Sequence, residues 1–464
     1  MGTESSLPVE TKQELESFVD EWLIRDELPG ASVAIVDGDE TVYAGGFGAR
    51  NYADNSPATA DTLYGIGSCT KSFTAVAIMQ LVEEGELALD DPIQEYVPEY
   101  ADADGEPITI HDLLTHTSGM PSDGSAVALI SRLMDHEPVE VPMSGDGDFR
   151  RNIADAVDER MTDRERFFYY NSGYTALGLA IEEIDGREYS TYVTDEILEP
   201  LGMSRSTFSK ESVAEDADAL TPYMKDNGSS SEASFPFDEI IHAPGGLLSS
   251  VQELTSYLQM NMNDGEVDDV RVLESDSIAT MQDQYAVRRT ALDGTEEGYG
   301  YGWMVSEFLD DRLVGHGGSI GVSNAYVGFL KDAKLGVAVA TNCAAETHPM
   351  HVGPALLAII SGTDPAEVVP TYGLRRKQET VTGQYESFRG IQSATVEAKQ
   401  GGLELTMETD LRSESYTLFP ESLSPDEYEF YTVAATGDRT PVEFRVRDDD
   451  VDLLFQRWRL RKQS

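Results

Sequence analysis

Residues 65–85 read GIGSCTKSFTAVAIMQLVEEG, and no other stretch says more about the fold. After Gly65-Ile66-Gly67 an apolar run begins near Ser68 and passes through Phe73, Val76, Ala77, Met79, Leu81 and Val82 to Gly85, a residue suited to ending a helix. The run is apolar on most sides, which predicts a buried helix. Three residues are close to one helical turn, so Lys71 and Ser68 share a face. A serine hydroxyl is a poor nucleophile until a neighbour takes its proton, and a lysine desolvated in such a helix can be neutral enough to do so. Backbone N–H groups at the helix start can serve a developing oxyanion. Alone, Ser-x-x-Lys is a weak signal, because about one chance match is expected in a chain of this size. The plain alternative is a helix cap with an incidental lysine. Lys71, however, is the only lysine here with serine three places before it.

Two further stretches carry chemistry. In RFFYYNSGYTALG, residues 166–178, Tyr169 and Asn171 stand just ahead of a helical pattern. A phenol whose pKa is lowered by a nearby ammonium can act as base towards serine and as acid towards a leaving group, and an amide beside it can hold a substrate carbonyl and orient Lys71. Unaided, such an aromatic cluster reads as core packing. The other stretch, His316-Gly317-Gly318-Ser319, falls on the edge of a run of strands. Glycines there let a strand approach a substrate closely and place the N–H of Ser319 as a second oxyanion donor beside that of Ser68.

Together these segments resemble the three motifs of the class C β-lactamase and penicillin-binding-protein superfamily, in its S12-type peptidase and esterase branch. Phe167, Tyr169, Asn171, Gly173, Tyr174, Leu177 and Gly178 fill the places of its F-x-Y-x-N segment and following helix. The stretches 108–121, 198–203, 242–250 and 298–303 fit the same pattern in the same order. The resemblance implies an acyl-enzyme on Ser68, with Lys71 and Tyr169 moving protons and Asn171, His316, Gly317 and Gly318 shaping substrate binding. It implies no metal and no organic cofactor. Tyr170 replaces the small residue usual there and is expected to narrow the acyl pocket. His316 stands where β-lactamases carry lysine, so the permanent cation that would grip a β-lactam carboxylate is missing. Peptide-like amides and esters therefore rank ahead of β-lactams. A silent penicillin-binding or sensor scaffold is the alternative from another class.

Two patterns compete and lose. Gly317-Gly318-Ser319-Ile320-Gly321 satisfies G-x-S-x-G, but that elbow needs a helix after the serine, and the residues that follow read as strands. His348 and His351 in HPMH lack the glutamate of a zinc helix motif and read as packing or surface residues.

Composition bounds the rest. Hydrophobic residues form 40% of the chain, enough for a core. Asp plus Glu number 85 against 33 Lys plus Arg, a formal net charge of −52 spread along the whole sequence. This is the surface of a protein adapted to molar salt, as in a haloarchaeon, with counterions screening self-repulsion. The same field disfavours nucleic acid and membrane surfaces. No leader pattern and no membrane-length apolar run is visible, so a cytoplasmic location is expected. Cys69 and Cys343 are too few and too far apart for a disulfide framework. The partners expected are a small molecule or short peptide as substrate, with a homo-oligomer left open.

The expected fold is α/β (α+β): an antiparallel sheet flanked by helices, a helical subdomain, and a small C-terminal β-barrel. Helical spacing is predicted over 11–25, 174–184, 251–262 and 352–360, a hairpin over 31–51 about Asp37-Gly38-Asp39, and a strand meander over 301–342. Residues 1–365 form the hydrolase domain, with a polar lid or insertion at 121–166. The stretch 362–377, rich in Pro, Gly and basic side chains, reads as a linker, placed at residues 366–379. Residues 380–464 hold only short alternating runs and resemble the lipocalin-like domain appended to some S12 peptidases.

Overall fold

The computed structural model describes residues 5–134, 143–162, 166–226, 229–409, 412–447 and 450–463. They form two compact units, one from the residues up to Leu357 and one from Ala358 onward together with Thr290–Thr295. Among the described residues no helix is long and apolar enough to cross a membrane.

The first unit is organised by a nine-stranded sheet. The strand Gly30–Asp37, buried at all but its last residue, lies in its interior between Leu335–Thr341 and Glu40–Asn51. Asp37 pairs with Glu40, which leaves Gly38-Asp39 as a two-residue loop, and Gly38 takes the positive φ that such a tight hairpin requires. Met304–Phe308, Asp311–Ser319, Asn324–Leu330 and Leu335–Thr341 pair antiparallel in succession, the meander expected. Strands buried along their whole length, such as Asn324–Leu330, mark a sheet covered on both faces.

Helix Thr70–Glu84 runs through the core and is buried from Thr70 to Met79. A short 3-10 turn, Gly67–Cys69, leads into it, and Gly85 caps it in the left-handed conformation. Helices Asn171–Asp185 and Val251–Met262 lie where periodicity put them. Within the 121–166 insertion, residues 135–142 and 163–165 lie outside the described residues. Its described part is not merely polar: helices Ser125–Leu133 and Asp146–Ala156 bury Leu129, Phe149 and Ile153 in the main core.

Residues 366–379, read from sequence as a linker, are largely helical. They lie in helices Pro365–Val368 and Pro370–Val381, because each proline occupies a first helical turn where its missing N–H costs nothing, and Asp364 accepts a hydrogen bond from Ala366 N. Val381 is buried in the core of the second unit. That unit is a closed eight-stranded antiparallel barrel. Gly383–Ser387 and Trp458–Lys462 pair with each other and close it, around Leu403, Leu405, Phe430, Phe444 and Leu453.

What positions the site is a close backbone approach. A Cβ on Gly318 would lie 1.8 Å from Ile66 O and 3.0 Å from Ser68 N, and one on Gly67 would lie 2.5 Å from Ser319 N. The strand Asp311–Ser319 is an interior strand paired on both sides, not the edge expected, and its end can touch the start of the buried helix only because both residues are glycine. Gly318→Ala should therefore destabilise the fold by about 2 kcal/mol or more, since the obstructing atoms are backbone and cannot rotate away. Gly145→Ala, where the backbone is extended and a Cβ meets nothing within 4 Å, should be nearly neutral. Urea unfolding of the two variants beside wild type measures the difference.

Candidate active site

Lys71 is fully buried, and three oxygens surround its Nζ: Pro244 O at 2.7 Å, Asn171 Oδ1 at 2.8 Å and Ser68 Oγ at 3.1 Å. The Tyr169 and Tyr174 rings wall it in, with centroids 4.8 and 5.4 Å from the nitrogen. Burial drives the Lys71 pKa well below its ordinary value. Each neighbour is fixed by local structure. Asn171 opens the Asn171–Asp185 helix, and the preceding Tyr170 N–H donates to His116 Nδ1 at 3.1 Å. Pro244 lies in the single turn His242–Gly245, whose last carbonyls have no intrahelical partner and so can face the amine.

The Tyr169 hydroxyl is buried and has no hydrogen-bond partner among the described residues. Burial raises its pKa above the ordinary phenol value, and the neighbouring Ser68 hydroxyl opposes that rise only in part. The expectation of a phenol acidified by an ammonium is not met, because Lys71 is held towards its neutral form. Ser68 is half-buried and Ser319 exposed, so both open onto solvent.

His316 is buried in the strand Asp311–Ser319. Its Nδ1 lies 2.7 Å from Gly317 O, which can only accept, so Nδ1 carries the proton and Nε2, 2.9 Å from Tyr299 Oη, accepts. Burial lowers its pKa to about 3. Tyr170 does not narrow a pocket: it is buried in the main core, its hydroxyl 3.0 Å from that of Tyr100. Ser319 ends its strand, and a turn and the strand Asn324–Leu330 follow, so no nucleophile elbow is present. Among the described residues no group of His, Cys, Asp or Glu could hold a metal ion.

The Beta-lactamase family model matches residues 15–360. This chain belongs to the Beta-lactamase family. Residues 365–461 match a second model, the Pab87 octamerisation domain, rather than a lipocalin-like one. The structure of the octameric penicillin-binding protein homologue from Pyrococcus abyssi superimposes with a TM-score of 0.89 at 38% identity, over 97% of this chain and 100% of that one. A D-stereospecific amidohydrolase from Streptomyces sp. gives 0.60 at 25% identity, over 76% of this chain and 98% of that one. Protein flp of Staphylococcus aureus (strain MW2) is 27% identical over 345 residues, and the alignment spans 73% of this chain but only 65% of that protein's length. Penicillin-binding protein 4 of Amycolatopsis lactamdurans is 27% identical over 328 residues, covering 68% of this chain and 81% of that protein. Membership places the chain in the β-lactamase and penicillin-binding-protein superfamily of serine hydrolases.

Three distant segments of this Beta-lactamase family member thus place Ser68, Lys71, Tyr169, Asn171 and the Gly317-Gly318-Ser319 strand together. His316 lies one layer behind, its ring centroid 6.2 Å from that of Tyr169. Sequence reasoning missed Pro244, whose contribution is a backbone carbonyl with no side-chain signature, and His116, which packs 4.4 Å from the Tyr169 ring with an unusual positive φ. Both lie in stretches that fitted the family pattern, and that was the only signal available. The insertion also reaches the site: Met134 Sδ lies 2.8 Å from where a Cβ on Gly321 would be, two residues past Ser319.

The buried neutral His316 makes stability depend on pH. In the unfolded chain it takes up a proton below about 6.5, whereas the folded protein resists until about 3, so stability is lost as pH falls through that window. Wild type should lose about 2 kcal/mol more between pH 7 and pH 5 than His316→Gln does. Urea titrations of both proteins at the two pH values give that difference, in which the other histidines cancel.

Proposed function

We propose that the chain is a serine hydrolase that forms an acyl-enzyme on Ser68 and acts on peptide-like amides or esters. The observation that carries this reading is the hydrogen-bond count at Lys71. Asn171 Oδ1 and Pro244 O can only accept, so they engage two N–H bonds of Nζ. With its pKa driven down by burial, Lys71 in its neutral form has two hydrogens for these acceptors and turns its lone pair towards Ser68 Oγ 3.1 Å away, whereas as an ammonium it donates to all three. The buried lysine is set to receive the serine proton.

In the resulting mechanism the Ser68 proton passes to Lys71 as Oγ bonds to the substrate carbonyl carbon. The carbonyl electrons move to oxygen, which the N–H groups of Ser68 and Ser319 receive. On collapse the bond to the leaving group breaks, and the departing nitrogen or oxygen takes the Tyr169 proton, replaced in turn from the Lys71 ammonium. A water molecule then attacks the ester carbon, giving up its proton through the same pair, and Ser68 is released. A neutral phenol suits this role as a donor. The neutral His316 offers no cation to a β-lactam carboxylate, which favours amide and ester substrates over β-lactams. The D-stereospecific amidohydrolase among the similar structures points the same way.

Ser68→Ala should lower kcat/KM for a p-nitrophenyl ester by at least about 10³-fold. Equal rates in variant and wild type would remove Ser68 from the mechanism, and an absence of turnover on any ester, D-amino-acid amide or β-lactam would favour a silent scaffold. In wild type, kcat/KM should be lost as pH falls through the depressed Lys71 pKa and retained on the alkaline side past about 10, because burial raises Tyr169.

We further infer that the C-terminal barrel mediates self-association into an octamer, supported by its match to an octamerisation domain and by the octameric assembly of the Pyrococcus abyssi homologue. Light scattering on the full chain should return the mass of eight subunits, and a monomer at all concentrations would overturn the inference.

A further inference from the structure

One histidine of the HPMH stretch, His348, touches the site. His348 lies just ahead of the Pro349–Ile360 helix, and its ring rests against the strand that ends in Ser319. Nδ1 is 3.1 Å from Met350 N and Nε2 is 3.1 Å from Gly318 O. A backbone N–H can only donate, so Nδ1 is unprotonated, and the proton must sit on Nε2, which donates to the Gly318 carbonyl. Gly317 makes room for the ring, since a Cβ there would lie 3.2 Å from His348 Cε1 and 3.1 Å from Met350 Cβ.

Gly318 C=O and Ser319 N–H are two ends of one planar peptide unit. A hydrogen bond to the carbonyl end fixes the plane and draws electron density from the nitrogen, which makes the N–H a better donor. That N–H lies against the Ser68 turn, only 2.5 Å from where a Cβ on Gly67 would be. We propose that His348 is a positioning residue, which orients and polarises the Gly318–Ser319 peptide so that its N–H can receive the oxyanion formed on Ser68. This rests on the acyl-enzyme reading above.

Two substitutions separate positioning from folding. Asparagine at 348 still accepts from Met350 N, as a helix N-cap should, but is too short to reach Gly318 O. Glutamine can still donate to that carbonyl. With p-nitrophenyl acetate, His348→Asn should slow the acylation burst by about tenfold, less than deletion of a whole oxyanion donor. It should weaken an alkylboronic acid, which forms a tetrahedral adduct on serine, by the same factor, and move the acyl-enzyme carbonyl stretch to higher infrared frequency, all with KM unchanged. His348→Gln should restore most of each. A wild-type burst with an unshifted carbonyl in His348→Asn overturns the proposal. So does a slower burst without the parallel change in boronate affinity and carbonyl frequency, which would mark a merely structural role. Should wild type and Ser68→Ala hydrolyse the ester equally and form no adduct, the acyl-enzyme reading itself fails.

Discussion

One buried nitrogen sets the terms for the rest of the first unit. An ammonium without a countercharge in a dry interior is strongly disfavoured, and a neutral amine is tolerated there if its hydrogens are satisfied. Lys71 meets that condition with two carbonyl oxygens supplied by two other segments, Asn171 and Pro244. Helix Thr70–Glu84 is accordingly buried from Thr70 to Met79, helix Asn171–Asp185 begins at the residue whose amide accepts from the amine, and the turn His242–Gly245 presents a carbonyl inward. Removal of either acceptor would leave a buried N–H unpaired, so the base and the packing that surrounds it are a single requirement.

The same economy governs the oxyanion side. Ser68 N and Ser319 N come from a helix start and a strand end that are far apart in sequence and joined in space by two glycines. The nearest atoms that a Cβ on either glycine would meet are all backbone and cannot rotate away. The contact either forms at backbone distance or does not form, and neighbouring groups add to its rigidity: Cys69 Sγ lies 3.1 Å from His316 O, and Ser323 Oγ lies 2.8 Å from both Gly65 O and Thr341 O, either of which can accept its one proton. A catalytic centre built from main-chain atoms has to be placed by the whole sheet, which explains why so much of the nine-stranded layer is buried on both faces.

This division decides what could be read from the sequence. Ser68, Lys71, Tyr169 and Asn171 announce themselves as side chains at recognisable spacings, and the strands and helices of the first unit follow hydrophobic periodicity closely. Pro244 acts through a carbonyl, which every residue possesses, and no pattern marks it. The pKa of Tyr169 was misjudged because sequence supplies neighbours but not burial, and burial raises Tyr169 while it lowers Lys71. Tyr170 was misplaced because adjacent residues in an extended segment point to opposite sides, and the phase of that alternation is fixed only by the fold. Residues 366–379 looked like a linker because proline reads as a breaker, whereas at a first helical turn it is a starter. The barrel's closing strands, Gly383–Ser387 and Trp458–Lys462, pair across nearly the whole second unit, a relation that local alternation cannot express.

The charge of the chain and the neutrality of its cleft belong to one argument. A net charge of −52 repels anionic substrates over long distances at low ionic strength. In salt concentrated enough to screen that charge, the Debye length falls to about 3 Å, and only groups in direct contact exert a useful field. In that screened regime steering by charge is worth little, and recognition has to rest on hydrogen bonds made after the substrate has arrived. A buried amine without charge, a protonated phenol, an uncharged imidazole and two backbone N–H groups are what such a site can use. Burial is the largest cause of the shift at the amine, the phenol and the imidazole alike, and the two N–H groups are fixed by the main chain.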